Sequence, residues 1–168
     1  MTPYEEAARY LVRHGLRLAT AESCTAGLIA ARVADVPGCG QGLRCAVVAY
    51  APEIKENVLR VPHETIRRHG LTSEAVSLAM AHGVLDMTDA NLAIANTGTA
   101  DGRADDGTPA GTQCFAWVFR CGPGKTVEFA ETRRFSGERN EVREAAAEFA
   151  LARIAHYHAQ CQRALEAR

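Results

Sequence analysis

Ser23, Tyr50 and Lys55 are the residues whose types and surroundings could do chemistry together. Ser23 lies in Leu18-Ala19-Thr20-Ala21-Glu22-Ser23-Cys24-Thr25-Ala26-Gly27-Leu28, where a short apolar run ends in small polar residues. A helical pattern follows at once, with Leu28, Ile29, Val33 and Val36 on one side. The spacing predicts a strand running into a helix, with Ser23 at the turn. Such a turn sits at the carboxyl edge of a sheet, where open α/β sheets bind ligands. It also lies beside the unpaired N–H groups of a helix start, which attract anions and oxyanions. Ser23 is therefore a candidate nucleophile, with the N–H groups of Cys24 and Thr25 as candidate oxyanion donors. The alternative is that Ser23 only caps the helix.

A serine hydroxyl is weak at neutral pH and needs a base. No histidine lies near either strand end. Tyr50 ends the apolar run Cys45-Ala46-Val47-Val48-Ala49-Tyr50, and Lys55 lies one turn inside the next helix. Both are expected over the same sheet edge as Ser23. A lysine can act as base when burial favours its neutral amine, and a tyrosine hydroxyl can relay or orient the proton. The alternative makes Tyr50 the edge of the core and Lys55 a solvated side chain beside Glu56.

A third group comprises Asn96-Thr97-Gly98-Thr99-Ala100-Asp101-Gly102 with Gly107, and Ser136-Gly137-Glu138-Arg139. Glycines after a strand let backbone N–H groups approach an anion, and an arginine can fork onto phosphate. Simple turn chemistry and a surface charge explain them equally. The dinucleotide fingerprint, the P-loop, the Ser-x-x-Lys spacing and the Gly-x-Ser-x-Gly elbow are all absent.

The elements that must position these residues follow from caps and periodicity. Helix 3–14 is expected to start at Thr2 and Pro3, with Glu5 and Glu6 at its positive end and Gly15 at its stop. Strand 16–21 and helix 24–35 follow, closed by Asp35-Val36-Pro37-Gly38. Strand 45–50 reads as buried, because its apolar run is nearly continuous. Short helices are expected at 52–59 and 62–68, then a longer one at 72–86 capped by Thr72 or Ser73. Strands at 91–96, 111–120 and 126–135 precede a long helix at about 138–160 with a frayed polar end. The tight turn at Cys121-Gly122-Pro123-Gly124-Lys125 makes the last two strands antiparallel. The expected fold is a single α/β domain over 1–168, with its core at about 3–157, built as a three-layer α/β/α sandwich with a mixed sheet.

Composition narrows the function. Hydrophobic residues make up 47% and charged residues 23% of the 168 residues, an ordinary globular balance. A formal net charge of −1 leaves no basic footprint, so neither nucleic acid nor a membrane surface is an expected partner. Thr2-Pro3-Tyr4-Glu5-Glu6 does not read as a secretory signal, and a cytoplasmic location is expected. Cys24, Cys39, Cys45, Cys114, Cys121 and Cys161 form no C-x-x-C pair and read as reduced thiols. The histidines are scattered, and no metal site is expected.

Taken together, the segments resemble the CinA C-terminal domain family, which includes PncC-like nicotinamide-nucleotide amidohydrolases. The resemblance is carried by Ala21 to Ala30, Asp35 to Gly38, Val47 to Tyr50 with Lys55, and Val61-Pro62. It continues through Thr97-Gly98, Gly111-Thr112, and Phe135 to Arg139 with Val142-Arg143. It implies hydrolysis of the carboxamide of nicotinamide mononucleotide to nicotinate mononucleotide and ammonia, with no metal or organic cofactor. Ser23 matches the nucleophile, and Tyr50 and Lys55 match its partners. Thr25, Gly27, Thr97, Gly98 and Arg139 match substrate-binding positions. A homo-oligomer is implied as well.

The chain departs from the family pattern in two places. Ala26 stands where the family has the first of two glycines, and either crowds the substrate or favours the helix. Thr97-Gly98-Thr99-Ala100-Asp101-Gly102 replaces Thr-Gly-Ile-Ala-Gly-Pro, and Asp101, Asp105 and Asp106 add negative charge partly offset by Arg103. Two further functions stay open on the residues alone. One is a serine amidohydrolase for another small amide. The other is a non-catalytic nucleotide- or partner-binding module of the same fold.

Overall fold

Alternation within the strands sorts large and small side chains onto opposite faces of one sheet. Leu18, Leu92, Ile94, Phe115, Trp117 and Phe119 point to one face, and Ala19, Ala21, Ala93, Ala95 and Ala116 to the other. The computed structural model describes residues 1–102 and 106–168, so the charges expected at Arg103 and Asp105 lie outside the described residues. The strands are β1 (Leu18–Glu22), β2 (Leu43–Val48), β3 (Leu92–Gly98), β4 (Thr112–Gly122) and β5 (Lys125–Arg134). They form a mixed sheet in the order β2-β1-β3-β4-β5. The β2, β1 and β3 strands run parallel, while β4 and β5 are antiparallel to their neighbours.

The large-residue face is covered by α1 (Pro3–Arg13), α2 (Leu28–Ala34), α6 (Arg139–Ala152) and α7 (Ile154–Glu166). The alanine face is covered by α5 (Glu74–Asp86) through Val76, Met80, Ala81, Val84 and Leu85. Two short helices, α3 (Pro52–Asn57) and α4 (His63–His69), precede α5. The expected three-layer α/β/α arrangement is the arrangement found. Helix α1 starts at a capping box in which Thr2 and Glu5 bond each other's backbone. For α5 the cap is Ser73, whose side chain accepts from Val76 N–H.

Four expectations need correction. Helix 24–35 begins only at Leu28, because Ala26 (φ 47°) and Gly27 (φ 95°) take left-handed conformations that no α-helix contains. Strand 45–50 runs from Leu43 to Val48, and it is a half-exposed edge strand rather than a buried one. Nothing pairs with its outer side among the described residues, so its alternate residues face solvent. The long helix 138–160 is two helices that meet at Arg153. The polar end expected to fray is helical to Glu166, anchored by Ile154, Tyr157 and Cys161 in the core.

Strand order fixes where a ligand can sit. The chain leaves β1 over one face through α2 to reach β2, then crosses the other face through α5 to reach β3 on β1's far side. The connection direction therefore reverses at the carboxyl end of β1. Such a switch point opens a crevice between loops that lead to opposite faces. Ser23 is the first residue beyond it.

Candidate functional site

A cleft of about 560 Å³ opens there, and Ser23, Cys24, Tyr50, Lys55, Thr97 and Gly98 are among the residues that line it. Four other surface cavities among the described residues are smaller, at about 120 to 300 Å³. Three parallel strand ends converge on it. Ser23 N–H donates to Asn96 O within β3, and Ala49 N–H, just past β2, donates to Glu22 O at the end of β1.

Lys55 reaches this edge from α3. Pro52 opens that helix without losing a needed N–H, and one turn later the Lys55 side chain points back under the β2 loop. It is 2% exposed. Its Nζ donates to Ala49 O at 2.7 Å, to Tyr50 O at 3.1 Å and to Ser23 Oγ at 3.1 Å. Those three contacts use all three directions of the amine. Burial pulls its pKa down from the usual lysine range to about 8.

Tyr50 contributes differently from the expectation. Its backbone carbonyl holds Lys55, but its hydroxyl accepts from Arg139 Nη2 at 2.9 Å and makes no hydrogen bond with Ser23 or Lys55. The reason is its place two residues past the strand end, where the side chain is 55% exposed and swings toward α6. Arg139 is held at the cleft rim by Tyr50 and by Asp101, whose Oδ1 lies 2.6 Å from Nη1.

The turn after Ser23 is built by contacts that the linear sequence does not assign. Glu22 is fully buried, and its carboxylate accepts from the Thr20 and Thr25 hydroxyls and from the N–H groups of Gly27, Ile29 and Ala30. It fills the amino end of α2, so that end is closed to a substrate anion. Thr25 N–H donates to Asn96 Oδ1 at 3.0 Å and is not free for an oxyanion. Of the two expected donors, only Cys24 N–H has no partner among the described residues. Asn96 Nδ2 in turn donates to Gln113 Oε1, and Gln113 Nε2 donates to Cys24 Sγ and Thr99 O. Arg143 closes the set by donating to the carbonyls of Cys24 and Thr25.

The expected binding residues divide accordingly. Thr25 and Gly27 face Glu22 and lie outside the cleft lining. Gly98 lines the cleft, but its smallness serves Gln113, since a Cβ there would stand 2.5 Å from the Gln113 amide. Thr97 also lines it, with its hydroxyl donating to Leu71 O. Ala26 neither joins the helix nor lines the cleft, so neither effect expected of its methyl group applies.

Some of the missed residues had a signal. Asn96 and Gln113 are polar positions inside apolar strand runs, and Glu22 ends one. A buried polar group must find partners. Which partners it finds is a matter of strand neighbours that the linear order does not show. Among the described residues no cluster of three or more His, Cys, Asp or Glu is placed to hold a metal ion, and no helix is long and apolar enough to cross a membrane.

Known proteins are similar to this chain in sequence and fold. A CinA-like protein of Akkermansia muciniphila is 39% identical over 144 residues, which are 85% of this chain and 34% of that protein. A CinA-like protein of Mycobacterium tuberculosis is 44% identical over 133 residues, 77% of this chain and 30% of its own length. The chain thus spans about a third of the length of these curated relatives. The crystal structure of the competence damage-inducible protein A from Klebsiella pneumoniae superposes with a TM-score of 0.86 at 37% identity, covering 95% of this chain and 98% of that one. The family model for the CinA C-terminal domain matches residues 2–158, which takes in every strand and the whole cleft. By sequence, fold and the extent of that match, the chain belongs to the CinA C-terminal domain family.

Proposed function

We propose that the protein is a serine amidohydrolase that deamidates nicotinamide mononucleotide to nicotinate mononucleotide and ammonia. The observation that carries the reading is the 3.1 Å contact of a buried Lys55 Nζ with Ser23 Oγ. When Lys55 is neutral, its two remaining N–H groups stay on the Ala49 and Tyr50 carbonyls. Its lone pair then faces the Ser23 hydroxyl.

Ser23 Oγ attacks the amide carbon as Lys55 takes its proton. The carbonyl electrons move to oxygen, and Cys24 N–H donates to the resulting oxyanion. Collapse breaks the C–N bond, Lys55 returns the proton to the departing nitrogen, and ammonia leaves. Water then attacks the Ser23 ester, again with Lys55 as base, and releases the acid. Tyr50 holds Lys55 through its carbonyl and carries Arg139 on its hydroxyl, so its part is to connect the reacting pair to the rim. Thr97 and Arg139 meet the ribose and phosphate. On the same family resemblance, the protein works as a cytoplasmic homo-oligomer with no metal or organic cofactor.

The test is ammonia release from nicotinamide mononucleotide by the wild type and by Ser23→Ala. The expected result is turnover by the first and at least a thousandfold loss in the second, roughly the scale at which removing a nucleophile acts, with an unchanged melting temperature. Equal turnover by both proteins would remove Ser23 from the reaction.

A further inference from the structure

Arg139 is outside the lining of the cleft but borders it, because Tyr50, which lines the cleft, accepts from its Nη2. A guanidinium recognises phosphate by presenting parallel N–H groups to two oxygens. Here Nη1 is already engaged by the Asp101 carboxylate at 2.6 Å. A carboxylate has the charge sign and the oxygen geometry of the group that Arg139 would otherwise take. The other oxygen of Asp101, Oδ2, has no partner among the described residues. The Arg139 and Asp101 side chains are 49% and 58% exposed, so water screens the pair and its separation costs little. A second carboxylate, Asp106, lies on the cleft wall with Oδ1 held by Thr108 N–H and hydroxyl. It adds negative charge where a pyridinium ring is favoured and a phosphate is not.

We propose that Asp101 is a specificity-determining residue, an internal anion that competes with the substrate's phosphate for Arg139. Asp101 then weakens the cleft's preference for a phosphorylated pyridinium carboxamide over the same amide without a phosphate. The substrate part of this inference rests on the amidohydrolase reading. The competition for Arg139 rests on the ion pair alone. Asp101 does not touch the reacting atoms; it acts through Arg139.

The experiment measures kcat/KM for nicotinamide mononucleotide and for nicotinamide riboside in the wild type and in Asp101→Asn. The expected result is a rise of about fivefold in the ratio of the first to the second, the scale of one screened charge pair. The change should sit in KM for the phosphorylated substrate. It should shrink at high salt and vanish when Arg139→Gln is added. Calorimetric titration with inorganic phosphate should show about fivefold tighter binding to Asp101→Asn than to the wild type, by the same screened-pair estimate. An unchanged ratio together with unchanged phosphate affinity overturns the proposal. If no variant releases ammonia from either amide, the amidohydrolase reading fails, and the phosphate titration still decides the role of Asp101.

Discussion

Lys55 shows how two backbone carbonyls can aim an amine. The carbonyls of Ala49 and Tyr50 occupy two of its directions and leave the third on Ser23 Oγ. Burial disfavours the ammonium and brings the pKa down to about 8. The base form therefore grows as pH rises, and kcat/KM should climb through an inflection near pH 8. Lys55→Met should abolish that activity. The same shift acts on stability. Between the folded value of about 8 and the ordinary lysine value of 10.5, the unfolded chain binds more protons at Lys55 than the folded one. Stability contributed by this group accordingly rises with pH across that window and is lost as pH falls through about 8. Denaturant melts of wild type and Lys55→Met at pH 7, 8.5 and 10 should show the wild type gaining on the variant as pH rises. A constant difference would mean that Lys55 is solvated.

The turn between β1 and α2 is where local propensity and local structure part. Ala26 sits at φ 47°, a left-handed conformation that costs a residue with a Cβ roughly 1–2 kcal/mol. The turn survives because Glu22 collects five donors around it and Asn96 takes Thr25 N–H. Ala26→Gly should relieve that strain and lose roughly 0.4–1 kcal/mol to unfolded-chain entropy. The expected net effect is a gain of about 0.5 kcal/mol by these same two estimates. Ala31→Gly, an exposed position inside α2, should instead cost about 1 kcal/mol. Equilibrium unfolding of the two variants distinguishes a left-handed turn at Ala26 from a helix that starts before it.

Over the whole molecule, the two faces of the sheet are not equivalent. The face with Trp117, Phe115 and Ile94 takes four helices, whereas the alanine face lets α5 lie close against the strands. Ala93→Leu, fully buried beneath α5, should cost about 2–3 kcal/mol by overpacking and lower the melting temperature. A melting temperature equal to that of wild type would show room between α5 and the sheet. The parallel β2-β1-β3 unit also sets the cleft, because its switch point gathers the ends of three strands separated by up to 75 residues between Ser23 and Gly98.

Much of this follows from the chain read in order. Caps at Thr2 and Ser73, the apolar runs and the stops mark nearly every element, because those signals act within one helical turn or one strand. Ser23 and Lys55 are legible for the same reason: each lies one short turn beyond or inside a clear element. Boundaries that depend on neighbours are not legible. Strand β2 reads as buried until the sheet order leaves it at an edge, and α6 and α7 read as one helix until packing breaks them at Arg153. The Glu22, Asn96, Gln113 and Arg143 contacts cross up to 119 residues of sequence, as in Arg143 to Cys24. Local chemistry thus determined which residues could react. Only tertiary packing decided which backbone groups stay free to help them, because a buried donor is claimed by whichever acceptor the fold brings within reach.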